Sequence, residues 1–176
     1  MKELALSNVY KLIEPGPVIL VSTARNGQSN VMAMSWHMMV DFDPPLIACV
    51  MGEGGTSFAT LKATRECVIA IPAVKLAKKV VKIGNTHGSD IDKFEAFGLT
   101  PVAASEVGAP LIAECMANLE CKVVDTTLVR KYDLFILEAV KAWIDPAQRD
   151  SKTIHHRGYG TFAVDGRIIK LSSRMR

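Results

Sequence analysis

Aromatic residues are scarce in this chain, 6% of 176 residues, which argues against the stacking platforms that bind single-stranded nucleic acids. Charge of one sign is scarce as well. Lys and Arg number 21 against 18 Asp and Glu, leaving a formal +3, without the concentrated basic stripe of a nucleic-acid binder. No apolar run reaches the roughly 18–20 residues that span a bilayer, so no membrane association is expected. Met1 to Ser7 place Glu3 directly after Lys2 and hold no long apolar stretch, unlike an export signal. The four cysteines, Cys49, Cys67, Cys115 and Cys121, are scattered, three of them in apolar, strand-like surroundings. They read as reduced core thiols of a cytoplasmic protein. No CxxC occurs, Cys115 and Cys121 lack spaced histidines, and His155 and His156 are adjacent, so no metal site is expected. GxGxxG, GxxxxGK(S/T) and GxSxG are all missing, which removes a Rossmann dinucleotide site, a P-loop and a nucleophile elbow.

What is present suits one globular domain over residues 1–176. Hydrophobic residues make up 49% and charged ones 22%, and a chain of this length buries about 70% of its unfolded surface. A short helix is expected over residues 8–13, stopped by Pro15-Gly16-Pro17. Val18 to Thr23 reads as a buried strand, Asn26-Gly27 as a hairpin turn, and Asn30 to Trp36 as the returning strand. Asp43-Pro44-Pro45 turns into a third strand, Leu46 to Met51, and Gly52 to Gly55 break it. Thr56 or Ser57 then caps a helix running to about Thr64. After a strand at Cys67 to Ile71, Pro72 opens a helix whose Leu76, Val80 and Ile83 share one face, with Gly84 as its stop. Asp90 to Phe97 reads as a short helix; Leu119 to Val124, Leu134 to Val140 and Gly160 to Val164 read as strands. Hairpin-like connections dominate, without regular strand-helix alternation. The expectation is an antiparallel barrel with helices packed outside it.

Two segments stand out as site candidates. Gly52-Glu53-Gly54-Gly55-Thr56-Ser57 runs from a strand into a helix start, offering free backbone N–H groups and two hydroxyls to an anion. Taken alone, the segment reads more readily as a tight turn with an ordinary N-cap. Asn30 to Trp36 combines an amide, a hydroxyl and soft apolar groups beside an indole, suited to a flat heteroaromatic ligand or simply to a buried strand. The lysines at 75, 78, 79 and 82 read as a solvated helix face, and Arg174 and Arg176 as a frayed terminus.

The order of these pieces resembles the flavin reductase-like family of FMN-binding split barrels, its flavoredoxin-like members in particular. The resemblance runs from Pro17-Val18 through Asn30 to Trp36, Asp43-Pro44-Pro45 and Thr56-Ser57-Phe58, then Val80 to Gly84 and Asp92-Lys93-Phe94 with Gly98-Leu99-Thr100. It continues through Ala109 to Cys115, Leu119-Glu120-Cys121, Phe135 to Val140 and Gly160-Thr161-Phe162. It implies a mainly β fold with flanking helices: a Greek-key-like, six-stranded antiparallel split barrel. It further implies a homodimer with FMN held non-covalently near the subunit interface. The implied FMN contacts are Asn30, Ala33, Met34, Ser35 and Trp36 beside the ring and ribityl chain, with Phe162 as a nearby aromatic. Met51 and Phe58 join Thr56, Ser57 and Lys93, the last three on the phosphate side. Where flavoredoxin-like members often carry His, this chain has Tyr132, whose neutral phenol cannot take over an imidazole's proton role.

The implied activity passes electrons from NAD(P)H or another donor through FMN to flavin or another acceptor. The alternative is a non-enzymic FMN carrier serving a protein redox partner. No catalytic acid or base is called for, because hydride transfer to flavin needs mainly stacking geometry. For Lys93, the spacing of Phe94 and Phe97 turns its side chain away from the core, toward the surface or a cleft.

Overall fold

The structure, a computed structural model, describes residues 16–148 and 151–172. The helix expected over residues 8–13, the first residues read for an export signal, and Arg174 and Arg176 lie outside that range.

Strands β1 (Ile19–Arg25) and β2 (Gln28–Met34) form a hairpin closed by Asn26 and Gly27. Both turn residues have positive φ, 53° and 78°, the backbone twist that a two-residue hairpin favours. Strand β3 (His37–Phe42) pairs with β4 (Pro45–Val50). Helix α1 (Thr56–Thr64) and β5 (Glu66–Ile71) follow. A 3₁₀ turn at Val74–Leu76 leads into α2 (Ala77–Gly84), and α3 (Lys93–Ala96) comes next. Two-residue strands β6 (Pro101–Val102) and β7 (Leu111–Ile112) pair with each other. Then come β8 (Ala117–Asp125), α4 (Val129–Tyr132) and β9 (Leu134–Ile144). A hairpin of β10 (Ile154–His156) and β11 (Phe162–Val164) is the last pair of strands among the described residues.

The main sheet has seven strands in the order β2-β1-β5-β8-β9-β4-β3, antiparallel throughout. Its two edges, β2 and β3, are neighbours in sequence, separated only by Ser35 and Trp36. Three residue steps span at most about 11 Å, so the sheet must curl until its edges nearly meet. No ladder joins them, and the barrel is split. Register shifts between Glu120 and Cys121 and between Val123 and Asp125 on β8 are bulges of the kind that add curvature.

Strand β1 is buried on both faces, which is why it reads as a continuous apolar run. Ile19 and Val21 join Ile47, Cys49, Ile69, Phe135 and Leu137 in one cluster, sealed by Phe58 and Leu61 of α1. Leu20 faces the other way, beneath Val80 and Ile83 of α2 and Phe94 of α3. All four cysteines are buried free thiols. Among them burial pushes Cys49 and Cys115 up to about 12. Glu120, fully buried on β8, pins the loop after β6: its carboxylate accepts from the amides of Ser105, Glu106 and Val107 and, at 2.8 Å, from the Trp143 indole. Burial alone would raise this carboxyl, but those donors hold it at about 2.

Several expectations are corrected. The sheet has seven strands and not six, because β3 carries no buried face to betray it: His37 is half-buried and Met38 to Phe42 are exposed. Pro72 does not open α2, since the chain makes a 3₁₀ turn first and the helix starts at Ala77. Gly55, and neither Thr56 nor Ser57, is the N-cap of α1. Helix α3 begins at Lys93 because the Asp92 carboxylate caps the amides of Phe94 and Glu95. Lys79 is tied down, donating to the Gly98 carbonyl at 2.8 Å.

Candidate functional site

Two adjoining cavities lie along β2 and α2, and the expected site residues divide between them. Ala33 of β2 and Gly84, the last residue of α2, line both.

The smaller cavity, about 140 Å³, is bounded on one side by the start of α1. Gly55 caps that helix with extended backbone and no side-chain hydrogen bond, so the first amides of the helix are left to face a ligand. Thr56 and Ser57 bring their hydroxyls, and Met51 and Phe58 supply apolar walls. Ser57 is buried, and its oxygen accepts from the Asn30 side-chain nitrogen at 2.8 Å; its own proton remains to be donated. Asn30 is held against Gly88 so closely that a Cβ there would fall 2.2 Å from Asn30 Oδ1.

Lys93 completes this wall, and of the two placements expected for it, surface or cleft, the structure has the cleft. Although Phe94 is buried as expected, Lys93 is only 4% exposed. Its ammonium donates to the carbonyl of Ile83 at 3.0 Å, near the C-terminal end of α2. That end carries the partial negative charge of the helix dipole, which favours a cation. One of three N–H donors is used there. Burial lowers the pKa of Lys93 from its ordinary value, with nearby Asp90 opposing the shift. No carboxylate lines this cavity. Backbone amides, hydroxyls and a buried ammonium form the donor set of an anion site.

The larger cavity, about 430 Å³, is mainly apolar, within the size range of small-molecule pockets. Val18, Met34, Val80 and Val81 line it together with Phe162 from β11. Ser35, Asn85 and His156 add polar edges. The rings of His156 and Phe162 stand 5.4 Å apart and tilted by 50°, on residues directly opposite in the β10–β11 ladder.

Of the sequence-derived candidates, Asn30, Met51, Thr56, Ser57, Phe58 and Lys93 meet at the smaller cavity. Met34, Ser35 and Phe162 meet at the larger, and Ala33 belongs to both. Trp36 lines neither; it is 52% exposed just before β3. Tyr132, at the end of α4, is likewise exposed and outside both. Asn85, Thr86, His87, Gly88 and His156 also line these cavities, and no local signal in the sequence marks them as site residues.

A split barrel whose flanking helix α2 borders an anion pocket and an apolar pocket is the class of protein that these features define. The chain belongs to the family described as flavin reductase like domain, whose family model matches residues 12–163. An uncharacterized protein, YddH of Escherichia coli (strain K12), is 30% identical over 93% of this chain and 94% of its own length. An FMN-binding domain of a flavin reductases-like enzyme from Shewanella baltica OS155 superposes with a TM-score of 0.82 at 27% identity, covering 96% of each chain. Flavoredoxin of Desulfovibrio vulgaris (Miyazaki F) shares the fold, with a TM-score of 0.85 at 23% identity over 99% of this chain and 98% of its own.

Proposed function

We propose that this chain is an FMN-dependent oxidoreductase of the flavin reductase type. The observation that carries the reading is the buried Lys93 ammonium sharing an acid-free cavity with the start of α1 and the Ser57 hydroxyl. That donor set fits a phosphate monoester. Lys93, Thr56, Ser57 and the first amides of α1 would hold the FMN phosphate. Asn30 would orient Ser57, and Ala33, Met34, Ser35 and Phe162 would bound the flavin ring in the adjoining apolar cavity. When bound, FMN supplies the redox chemistry, and the chain positions it and excludes water from one face.

NAD(P)H is the proposed electron donor and a flavin or other small acceptor the recipient. A second copy of the chain is the proposed structural partner. Edge strand β3 exposes Met38, Met39, Val40 and Phe42, and uncovered apolar edges invite pairing. Trp36 adjoins this strand and turns from its own chain's cavities, so a dimer would give it a place at the interface. Among the described residues no helix is long and apolar enough to cross a membrane.

Reconstitution followed by heat release and mass spectrometry of the cofactor tests the reading; FMN at about one per chain is expected, and FAD alone or no flavin overturns it. Steady-state oxidation of NADH and NADPH by the loaded protein, with and without free flavin, then tests the enzyme. Photoreduction without pyridine-nucleotide turnover would make it an electron carrier for a protein partner instead.

A further inference from the structure

The chain beyond β11 leaves the body of the molecule from a fixed root. Asp165, which follows β11, takes both the amide and the hydroxyl of Thr153 on Oδ2 at 2.7 Å, and its Oδ1 lies 2.8 Å from His155 Nε2. That cluster clamps β10 to the start of the departing segment. Residues 166–172 then form neither strand, helix nor turn, and all of them are exposed. Their composition is not that of a solvated tail. Ile168 is 95% exposed, Ile169 and Leu171 are exposed with it, and the only charges among them are Arg167 and Lys170. A segment of this kind stays loose unless something ties it down, and here the chain itself leaves three large aliphatic side chains uncovered.

Strand β3 presents the complementary surface. It is an edge strand, paired with β4 on one side and with nothing on the other. Successive strand residues point to opposite faces, and Met38 through Phe42 are all exposed, so neither face of this stretch is packed against its own chain. Residues 38–43 carry Asp41 and Asp43 and no basic residue. Within one chain the two surfaces leave each other in solvent. An apolar, basic arm and an apolar, acidic strand match in both respects, and opposite charges flanking an apolar contact select the partner and its register.

We propose that the arm of residues 166–172 covers β3 of a second copy, so that two chains exchange arms reciprocally. Ile168, Ile169 and Leu171 pack on the apolar side chains of the other copy's β3, and Arg167 and Lys170 lie beside its two aspartates. The inference rests on the reading above of a second copy as the structural partner, and names the segment that makes the contact. Two-fold symmetry doubles it, because each copy gives one arm and receives one.

The test uses the full chain loaded with FMN. Met39→Cys and Ile168→Cys chains are co-expressed with different affinity tags and purified through both, which selects the mixed dimer. The native cysteines are buried and poorly accessible to a thiol reagent. A short bismaleimide should link position 39 of one chain to position 168 of the other, seen as a cross-linked peptide by mass spectrometry. If the arm instead folds back on its own β3, that link forms only when both cysteines are in one chain, and the proposal fails. In a sedimentation dilution series, Arg167→Glu with Lys170→Glu should weaken dimerisation roughly tenfold or more, as should Asp41→Lys with Asp43→Lys. All four changes in one chain should restore it to within about threefold of wild type. Ile168→Ser with Leu171→Ser, both at positions exposed in the single chain, serves if a charge variant does not fold, and should weaken the dimer by a similar factor. A dimeric wild type without the interchain link, charge reversals that leave dimerisation unchanged, or no recovery in the combined variant overturns the arm exchange and leaves the dimer standing. A wild-type monomer overturns the dimer reading itself, and the exchange with it.

Discussion

Asn30 donates to the Ser57 hydroxyl at 2.8 Å, joining β2 to the start of α1 across 27 positions of sequence. The contact exists because residue 88 is glycine: any Cβ there would collide with the Asn30 carboxamide. Gly88→Ala should therefore displace Asn30 and release Ser57 while leaving the sheet intact. One neutral hydrogen bond is worth about 0.5–1.5 kcal/mol, so FMN affinity should fall roughly 2- to 12-fold. Flavin fluorescence quenching, beside an unchanged far-UV circular dichroism spectrum, checks this; unchanged affinity would detach Asn30 from the site.

Lys93 makes opposite predictions for the free and loaded protein. Its pKa is lowered by burial, so the folded state gives up its proton more readily than the unfolded one. The resulting cost to stability is present at neutral pH and is relieved as pH rises through the folded-state value toward 10.5. Lys93→Met removes the cost, and the flavin-free variant should be at least as stable as wild type at pH 7. FMN binding should weaken about 10- to 150-fold, from a charge-assisted contact of roughly 1.5–3 kcal/mol. Riboflavin, which lacks the phosphate, should lose little. Equal losses for both flavins would show that Lys93 supports the fold and not the phosphate.

Glu120 is predicted to set the acid limit of stability. Its folded pKa of about 2 lies below the ordinary 4.5, so its contribution is complete above about pH 4.5 and is lost as pH falls toward 2. Glu120→Gln should cost roughly 1.5–3 kcal/mol at pH 7, lowering Tm by about 3–12 °C for a chain of this size. The variant should also show a weaker acid dependence than wild type. Thermal melts from pH 3 to 7 decide it, and parallel curves for the two proteins would exclude this carboxylate.

For the dimer, the residue to change is Phe42, 84% exposed on β3. Light scattering should give wild type twice the chain mass, and Phe42→Glu should shift the population toward monomer. A wild-type monomer with flavin fully bound would remove the proposed interface.

The sequence alone determined the elements whose signals are local. Asn26-Gly27 sets a hairpin because both residues tolerate positive φ, and the β-branched run from Val18 to Thr23 marks a strand covered on both faces. The succession of motifs also carried the family and most residues of the two cavities. Strand β3 was not legible, because an uncovered edge strand shows no alternation between a wet and a dry face. The tertiary structure decided how the cavities are made. The spacing of Phe94 and Phe97 leaves Lys93 open to either the surface or a cleft. It is buried because the end of α2, ten residues earlier, presents the Ile83 carbonyl to its ammonium. Gly88 carries no turn signal and is required only because Asn30, far away in sequence, folds against it. His155 and His156 look alike on paper; the β10–β11 pairing assigns one to a clamp and the other to a cavity. Such contacts join residues far apart in the chain, and local propensity is blind to them because their energy comes from packing that only the folded sheet supplies.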